Sequence, residues 1–291
     1  KVYIPQTFVP AETGRHPTPS QIVSSFSADV AGKYFDVVTD GIADPTGDPM
    51  EEGGDPMYVA ENIVRAAAEE LADVQYAIVG VKNPQDAFGG FTGGKDFQGN
   101  ETGEPLVYKP VSLQYRPYTA DSDAVKKETI AGPDENGVYE NRSHFGESTY
   151  ATNESDLDMV IDIKSKLPEG AKLILIVTAD HPMCFHEIEP YCDAILFHFG
   201  PISDEAVAHV LTGAVEPSGL LQYQMPKDMD EVESQAEDTP RDMDPYVDAA
   251  GNAYDFAYGL NWSGVIDDER TATYKAAPLT ECETPVIADE I

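Results

Sequence analysis

Apolar and polar positions along this chain follow two periods, and the switches between them mark the elements. Five segments read as strands: Lys1–Pro5, Phe35–Thr39, Tyr76–Val81, Lys172–Thr178 and Ala194–Phe199. The last three are nearly all apolar, as strands covered on both faces tend to be. A helix is predicted over Met57–Ala72, where Val59, Ile63, Val64, Ala67 and Leu71 fall on one stripe. A second is predicted over Ser155–Leu167, with Leu157, Val160, Ile161 and Leu167 on its apolar face. A third starts after Ser203, a good N-cap, carries Asp204 and Glu205 in its first turn, and stops at Gly213.

Helix 57–72 leads into strand 76–81, and helix 155–167 into strand 172–178. These are α/β units, so the predicted fold is α/β: a mostly parallel sheet flanked by helices, a sandwich with flavodoxin-like layering. Residues 1–225 are expected to form that domain. The stretch 82–151 has little periodicity and reads as a long active-site loop or insertion. Residues 226–291 are acidic and turn-rich, and read as a wrapping C-terminal segment. In such sheets ligands bind beyond the carboxyl ends of the strands. The loops after Val81 and after Ala179 are therefore the places to look.

Charge narrows the partners. There are 18 Lys+Arg against 53 Asp+Glu, a net charge of −35. Such a surface repels nucleic acid, whose binding needs phosphate neutralisation by cations. It also argues against anionic membranes, and no apolar run approaches the ~20 residues of a membrane span. The plain reading of the charge is solubility, or life in a salty or acid-tolerant setting. The three cysteines, Cys184, Cys192 and Cys282, form no disulfide framework and read as buried thiols. The chain starts at Lys1 and runs straight into a strand, the pattern expected of a piece of a longer chain or a processed subunit.

Several local patterns have plainer readings. The run Gly89–Gly94, GGFTGG, does not open into a helix, as a phosphate-cradling loop should. Its glycines let the backbone approach a ligand or simply flex. His181 and His186 are five apart, which is not the spacing of a helical zinc site, and His198 lies on a buried strand and reads as a satisfied core histidine. The acids Asp40, Asp44, Asp48, Glu51, Glu52 and Asp55 lack the order of a calcium loop. Asn141-Arg142-Ser143 and three other N-x-S/T triplets matter only in a secretory pathway; a periplasmic or secreted setting is favoured. No Gly-x-Ser-x-Gly elbow occurs. No cofactor and no metal are expected.

Two stretches near the end of the chain carry a resemblance. Ala194–Pro226 contains Gly213, then Glu216-Pro217-Ser218-Gly219, then Met225-Pro226. It resembles the close of the second domain of family 3 glycoside hydrolases, with its "G-x-x-x-P-S-G-x-L-P" pattern. Tyr254–Trp262, YDFAYGLNW, is similar to that family's "F-G-Y-G-L", and Ala67–Pro84 to its helix ending in "A-D" with the strand that follows. The resemblance runs from about Lys1 to about Lys275. It implies the acid/base-bearing part of a retaining, exo-acting β-glucosidase or β-xylosidase. The nucleophilic Asp would come from a barrel on another chain or a removed segment, so the implied partners are that barrel and a carbohydrate substrate. The family's common "G-E-x-x-D-R" segment is absent here, and GLLQYQMP stands in place of "G-x-L-P". The alternatives are a non-catalytic carbohydrate-binding or scaffolding module derived from the same domain, and a nucleotide-binding α/β protein, which the missing phosphate loop disfavours.

Retaining glycosidases need two carboxyls about 5–5.5 Å apart, one attacking and one protonating the leaving oxygen. The loop after Val81 offers Asp86, Asp96, Glu101 and Glu104. Glu has the longer reach, so Glu101 or Glu104 is the expected acid/base. Asp86 and Asp96 are the next candidates and, with Phe91, Tyr108 and Tyr115, the expected substrate contacts. Phe88 and Tyr118 flank the same acids. Aromatic faces pack on sugar C–H faces, although packing on the sheet explains such residues equally well.

Overall fold

A computed structural model describes residues 1–11, 18–45, 58–85, 90–94, 100–134, 136–236, 239 and 242–274. Its centre is a five-stranded sheet: β1 (Val2–Ile4), β2 (Val37–Thr39), β3 (Tyr76–Lys82), β4 (Lys172–Ala179) and β5 (Ala194–Phe199). The strands lie in the order β5-β4-β3-β1-β2, and every neighbouring pair is parallel. All five predicted strands are present. This is the doubly wound order, with the chain reversing direction across the sheet between β1 and β3.

Side chains alternate across the strands, so the sheet builds two cores. On one face Val2, Ile4, Ile78 and Ile176 pack with Phe26, Ala31 of α1 (Ala28–Ala31) and Val207 of a later helix. On the other, Tyr3, Ala77, Val79, Leu173, Leu175 and Val177 meet Leu157, Val160 and Ile163.

The predicted helix 57–72 is not formed; only Ala68–Leu71 (α2) is α-helical. Ala60–Asn62 is a 3-10 turn, and Ile63–Val64 pairs antiparallel with Gly41–Ile42. Polar side chains draw the backbone away from the i→i−4 ladder here. The Asn62 amide takes the Val59 N–H and donates to the Asp44 carbonyl. The buried Asp40 carboxylate accepts from the Ala66 N–H, the Gln6 N–H, the Tyr3 hydroxyl and Arg65. Val64, on the predicted apolar stripe, is exposed.

The other two helices appear as read. Helix α3 (Glu154–Lys166) has acids in its first turn and lysines in its last. Helix α4 (Asp204–Leu211) is capped by the Ser203 hydroxyl, which accepts from the Ala206 N–H, and Gly213 follows with φ 76°. No helix among the described residues is long and apolar enough to cross a membrane.

The C-terminal segment adds α5 (Met229–Ser234) and lays tyrosines on the second core. Tyr254 meets Phe185 edge-on at 5.1 Å and Tyr246 at 5.3 Å. Here the two closing motifs meet. Leu221 and Tyr258 share a backbone bond, as do Ala257 and Leu221. A Cβ on Gly259 would lie 2.2 Å from the Gly219 carbonyl oxygen, so this crossing needs glycine.

One ion cluster ties three elements together. Asp193, just before β5, accepts from Lys164 of α3 at 2.7 Å, from Lys172 of β4 at 2.8 Å and from the Leu173 N–H at 2.9 Å. Burial opposes its ionisation, but these donors outweigh burial and hold the carboxyl far below the usual range. The stabilisation is therefore complete above the unfolded value of about 3.9 and is lost as pH falls below it toward the folded value. Asp193→Asn is expected to cost about 2 kcal/mol at pH 7. In urea titrations the gap to the parent should narrow steadily below pH 4. A gap that stays constant down to pH 2 would show that the carboxylate charge is not what stabilises.

Candidate active site

The long stretch after β3 is pinned at its root by a polar network. Asn83, the first residue past β3, is buried, and its amide donates to the Asp180 carboxylate at 3.0 Å. Gln85 donates to the Asn83 side-chain oxygen at 2.9 Å, and its own N–H goes to Asn153 at the entry of α3. Asn153 donates to the Lys82 and Asn83 carbonyls and to Asp156. Burial raises the Asp156 carboxyl, against the opposing bonds from Asn153 and the Lys82 N–H. Further along, the Glu187 carboxylate accepts the N–H groups of Tyr115 and Arg116. The Arg116 guanidinium reaches Glu154 and Asp158 of α3.

Beyond this root the chain forms a hairpin. Gly90–Thr92 pairs antiparallel with Val107–Lys109, which places Phe91 directly opposite Tyr108. The two rings meet edge to face at 6.2 Å. Phe91 is exposed, and the Tyr108 hydroxyl donates to Glu140 at 2.6 Å while Arg142 lies 5.8 Å from its ring centre. The Tyr108 hydroxyl, then Arg142, hold the Glu140 carboxyl below its ordinary value.

Glu101 and Glu104 sit in the loop that closes this hairpin, and both are exposed. The loop is folded back on itself: the Thr102 N–H and hydroxyl both donate to the Gly94 carbonyl, and the Gly94 N–H to the Glu104 carbonyl. Gly93 has φ 78°, and a Cβ on it would meet the Pro105 carbonyl oxygen at 2.2 Å. Gly93 of GGFTGG thus serves a tight backbone crossing.

The expected site residues therefore divide into three groups. Glu101, Glu104, Phe91 and Tyr108 lie on one hairpin. Tyr115 is fully buried, with its hydroxyl donating to the Lys82 carbonyl at 2.5 Å, so its ring packs the core and faces no solvent. Tyr118 is likewise buried, bonded to Glu233. Asp86, Asp96 and Phe88 lie outside the described residues, as do Cys282 and the acids at 48, 51, 52 and 55.

The remaining candidates fall into place around the sheet. His198 Nε2 faces the Thr178 hydroxyl and its Nδ1 the Gly200 carbonyl, which satisfies both ring nitrogens. Cys184 is buried and Cys192 half-buried, both as free thiols. No group of three or more His, Cys, Asp or Glu among the described residues is placed to hold a metal ion. Asn83, Asn153 and Glu187, which anchor the loop, were not singled out in the sequence. A lone Asn or Glu beside a strand or helix end carries no periodic signal.

The comparisons agree with this architecture. A family model described as the glycosyl hydrolase family 3 C-terminal domain matches residues 13–262. Beta-glucosidase C of Emericella nidulans is 33% identical over 121 residues, 42% of this chain and 18% of that protein. The matched segment thus spans less than a fifth of the relative's length. No solved structure gives a significant match. A parallel five-stranded sandwich whose closing motifs meet at Gly219 and Gly259, matched over most of its length by that family model, is a member of the glycosyl hydrolase family 3 C-terminal domain family, with a role tied to glycoside hydrolysis.

Proposed function

We propose that this chain is the acid/base-bearing part of a retaining, exo-acting β-glycosidase, a β-glucosidase or β-xylosidase. A barrel on another chain or segment completes it and supplies the nucleophile. The supporting observation is the hairpin after β3, which carries two exposed glutamates beside an exposed phenylalanine opposite a tyrosine. Such a hairpin reaching into a sugar site brings a carboxyl to the leaving oxygen and an aromatic ring to a sugar face. The relative's name, beta-glucosidase, favours a glucoside.

In this reading the chain alone does not turn over. Closing against the barrel shuts water out and brings the glutamate to the glycosidic oxygen. The donor protonates the departing oxygen, then accepts a proton from the water that cleaves the glycosyl-enzyme. The test is the leaving-group dependence of Glu101→Gln and Glu104→Gln in the assembled enzyme. A steep new dependence in one variant supports the assignment, and parent-like profiles in both oppose it.

A further inference from the structure

A second polar constellation lies past the carboxyl end of β4, beside the root of the long loop. Asp180 is 70% exposed, yet its carboxylate is held by the amide of Asn83, which is only 1% exposed. The Asn83 amide is itself oriented by Gln85, which donates to its oxygen, so its NH₂ is aimed at Asp180 and at the His181 carbonyl. A relay of two amides, one buried and one half-buried, thus fixes the direction of a carboxylate that faces water. The Asn83 amide also holds the Asp180 carboxyl below its ordinary value.

His181 is fixed from the opposite side. Its Nδ1 lies 2.7 Å from the Pro182 carbonyl, which only accepts, so Nδ1 carries the proton. In the neutral ring Nε2 is then an acceptor. It faces the Asp180 Oδ1 across 3.4 Å. Two oriented acceptors stand side by side with no donor between them in the neutral state.

The donor set restricts what fits. An anion is repelled by the carboxylate. A transition metal needs three or four ligands, and no such cluster occurs among the described residues. Neighbouring hydroxyls of a sugar fit: each donates one hydrogen bond, and together they meet two adjacent acceptors. The place is also right, since α/β sheets bind ligands beyond the carboxyl ends of their strands.

We infer that Asp180 and His181, oriented by Asn83 and Gln85, form a binding site for a vicinal diol of a neutral sugar. The choice of a sugar rests on the glycosidase reading above. The site itself is distinct from Glu101 and Glu104, and its role is binding rather than proton transfer to the glycosidic oxygen.

The test is NMR on the full 291-residue chain, with the His181 ring Cε1–H signal followed during titration with methyl β-D-glucopyranoside or methyl β-D-xylopyranoside. A saturable shift of that signal is expected. Asp180→Asn should weaken binding by about tenfold or more, the scale of a lost charged hydrogen bond. His181→Gln, which keeps a polar side chain, should weaken it too, and sugars lacking one hydroxyl of the diol should bind like the Asn variant. Backbone spectra of both variants matching the parent show that the fold is kept. If sugar shifts only Phe91 and Tyr108, or if Asp180→Asn binds as the parent does, the inference is overturned while the glycosidase reading stands. If no resonance moves with either sugar, the inference is overturned as well, and the glycosidase reading is then judged on the assembled enzyme alone.

Discussion

Replacing the proposed proton donor, Glu101 or Glu104, by Gln is expected to slow cleavage of cellobiose-like substrates by about 10²–10⁴-fold, the share that general acid catalysis contributes. Gln keeps the shape of Glu and removes the proton. Sugar leaving groups depart as poorly stabilised alkoxides unless protonated, so they carry the whole loss. Aryl glycosides with good leaving groups depart with little help, and their first step should slow far less. Their second step then limits, because water has lost its general base. Added azide should restore turnover, since an anion attacks the glycosyl-enzyme without one. The two glutamates lie three residues apart in one folded-back loop, and only one is expected to show this pattern. The measurement is kcat/KM across a leaving-group series for both variants in the assembled enzyme. Parent rates on cellobiose-like substrates in both would move the assignment to Asp86 or Asp96.

Gly80→Ala is expected to destabilise the fold by about 3 kcal/mol or more, near the upper end for overpacking. Gly80 lies in the central strand β3, and a Cβ there would stand 2.0 Å from the Ser25 carbonyl oxygen and 2.9 Å from its carbonyl carbon. The clash is with backbone, not with a flexible side chain. That backbone has little room to withdraw: the Ser25 N–H donates to the Pro5 carbonyl at 2.9 Å, and Phe26 next to it is buried in the core. Urea unfolding should show the midpoint fall with an unchanged slope. A variant within about 0.5 kcal/mol of the parent, the range of ordinary surface changes, would show that the segment over β3 is not locked as described.

The strands were legible because sheets covered on both faces write continuous apolar runs, and Tyr76–Lys82, Lys172–Ala179 and Ala194–Phe199 have little else in them. Helix α3 was legible through its apolar face, and α4 through its Ser203 cap and the acids of its first turn. The failure at 57–72 has a definite cause. Val59, Ile63, Val64, Ala67 and Leu71 satisfy helical spacing, but the decisive residues are the polar ones between and outside them, Asn62, Arg65 and the distant Asp40. A partner more than twenty residues away leaves no trace in a local period.

The site was legible in part for the same reason. Position beyond β3 follows from topology, so the loop with Glu101, Glu104, Phe91 and Tyr108 could be placed, but its hairpin pairing could not. Tyr115 could not be distinguished from Tyr108 by sequence, because both are tyrosines in one aperiodic loop. Only the fold reveals that one is fully buried against Lys82 and the other lies on the hairpin. The Asn83–Asp180 contact joins residues 97 apart and is equally invisible to spacing.

Whether this chain works as one part of a two-part glycosidase is decided by native mass measurement joined to an activity assay. The protein is isolated from its source without denaturation, weighed, and assayed on aryl β-glucosides before and after the components are separated. The prediction is an assembly or longer chain that contains a barrel, held by an interface of over ~2,000 Å² as in permanent complexes, with activity lost on separation and regained on mixing. A lone chain of this mass that cleaves β-glucosides unaided, or a lone chain that binds sugar and never turns over with any partner, would contradict it.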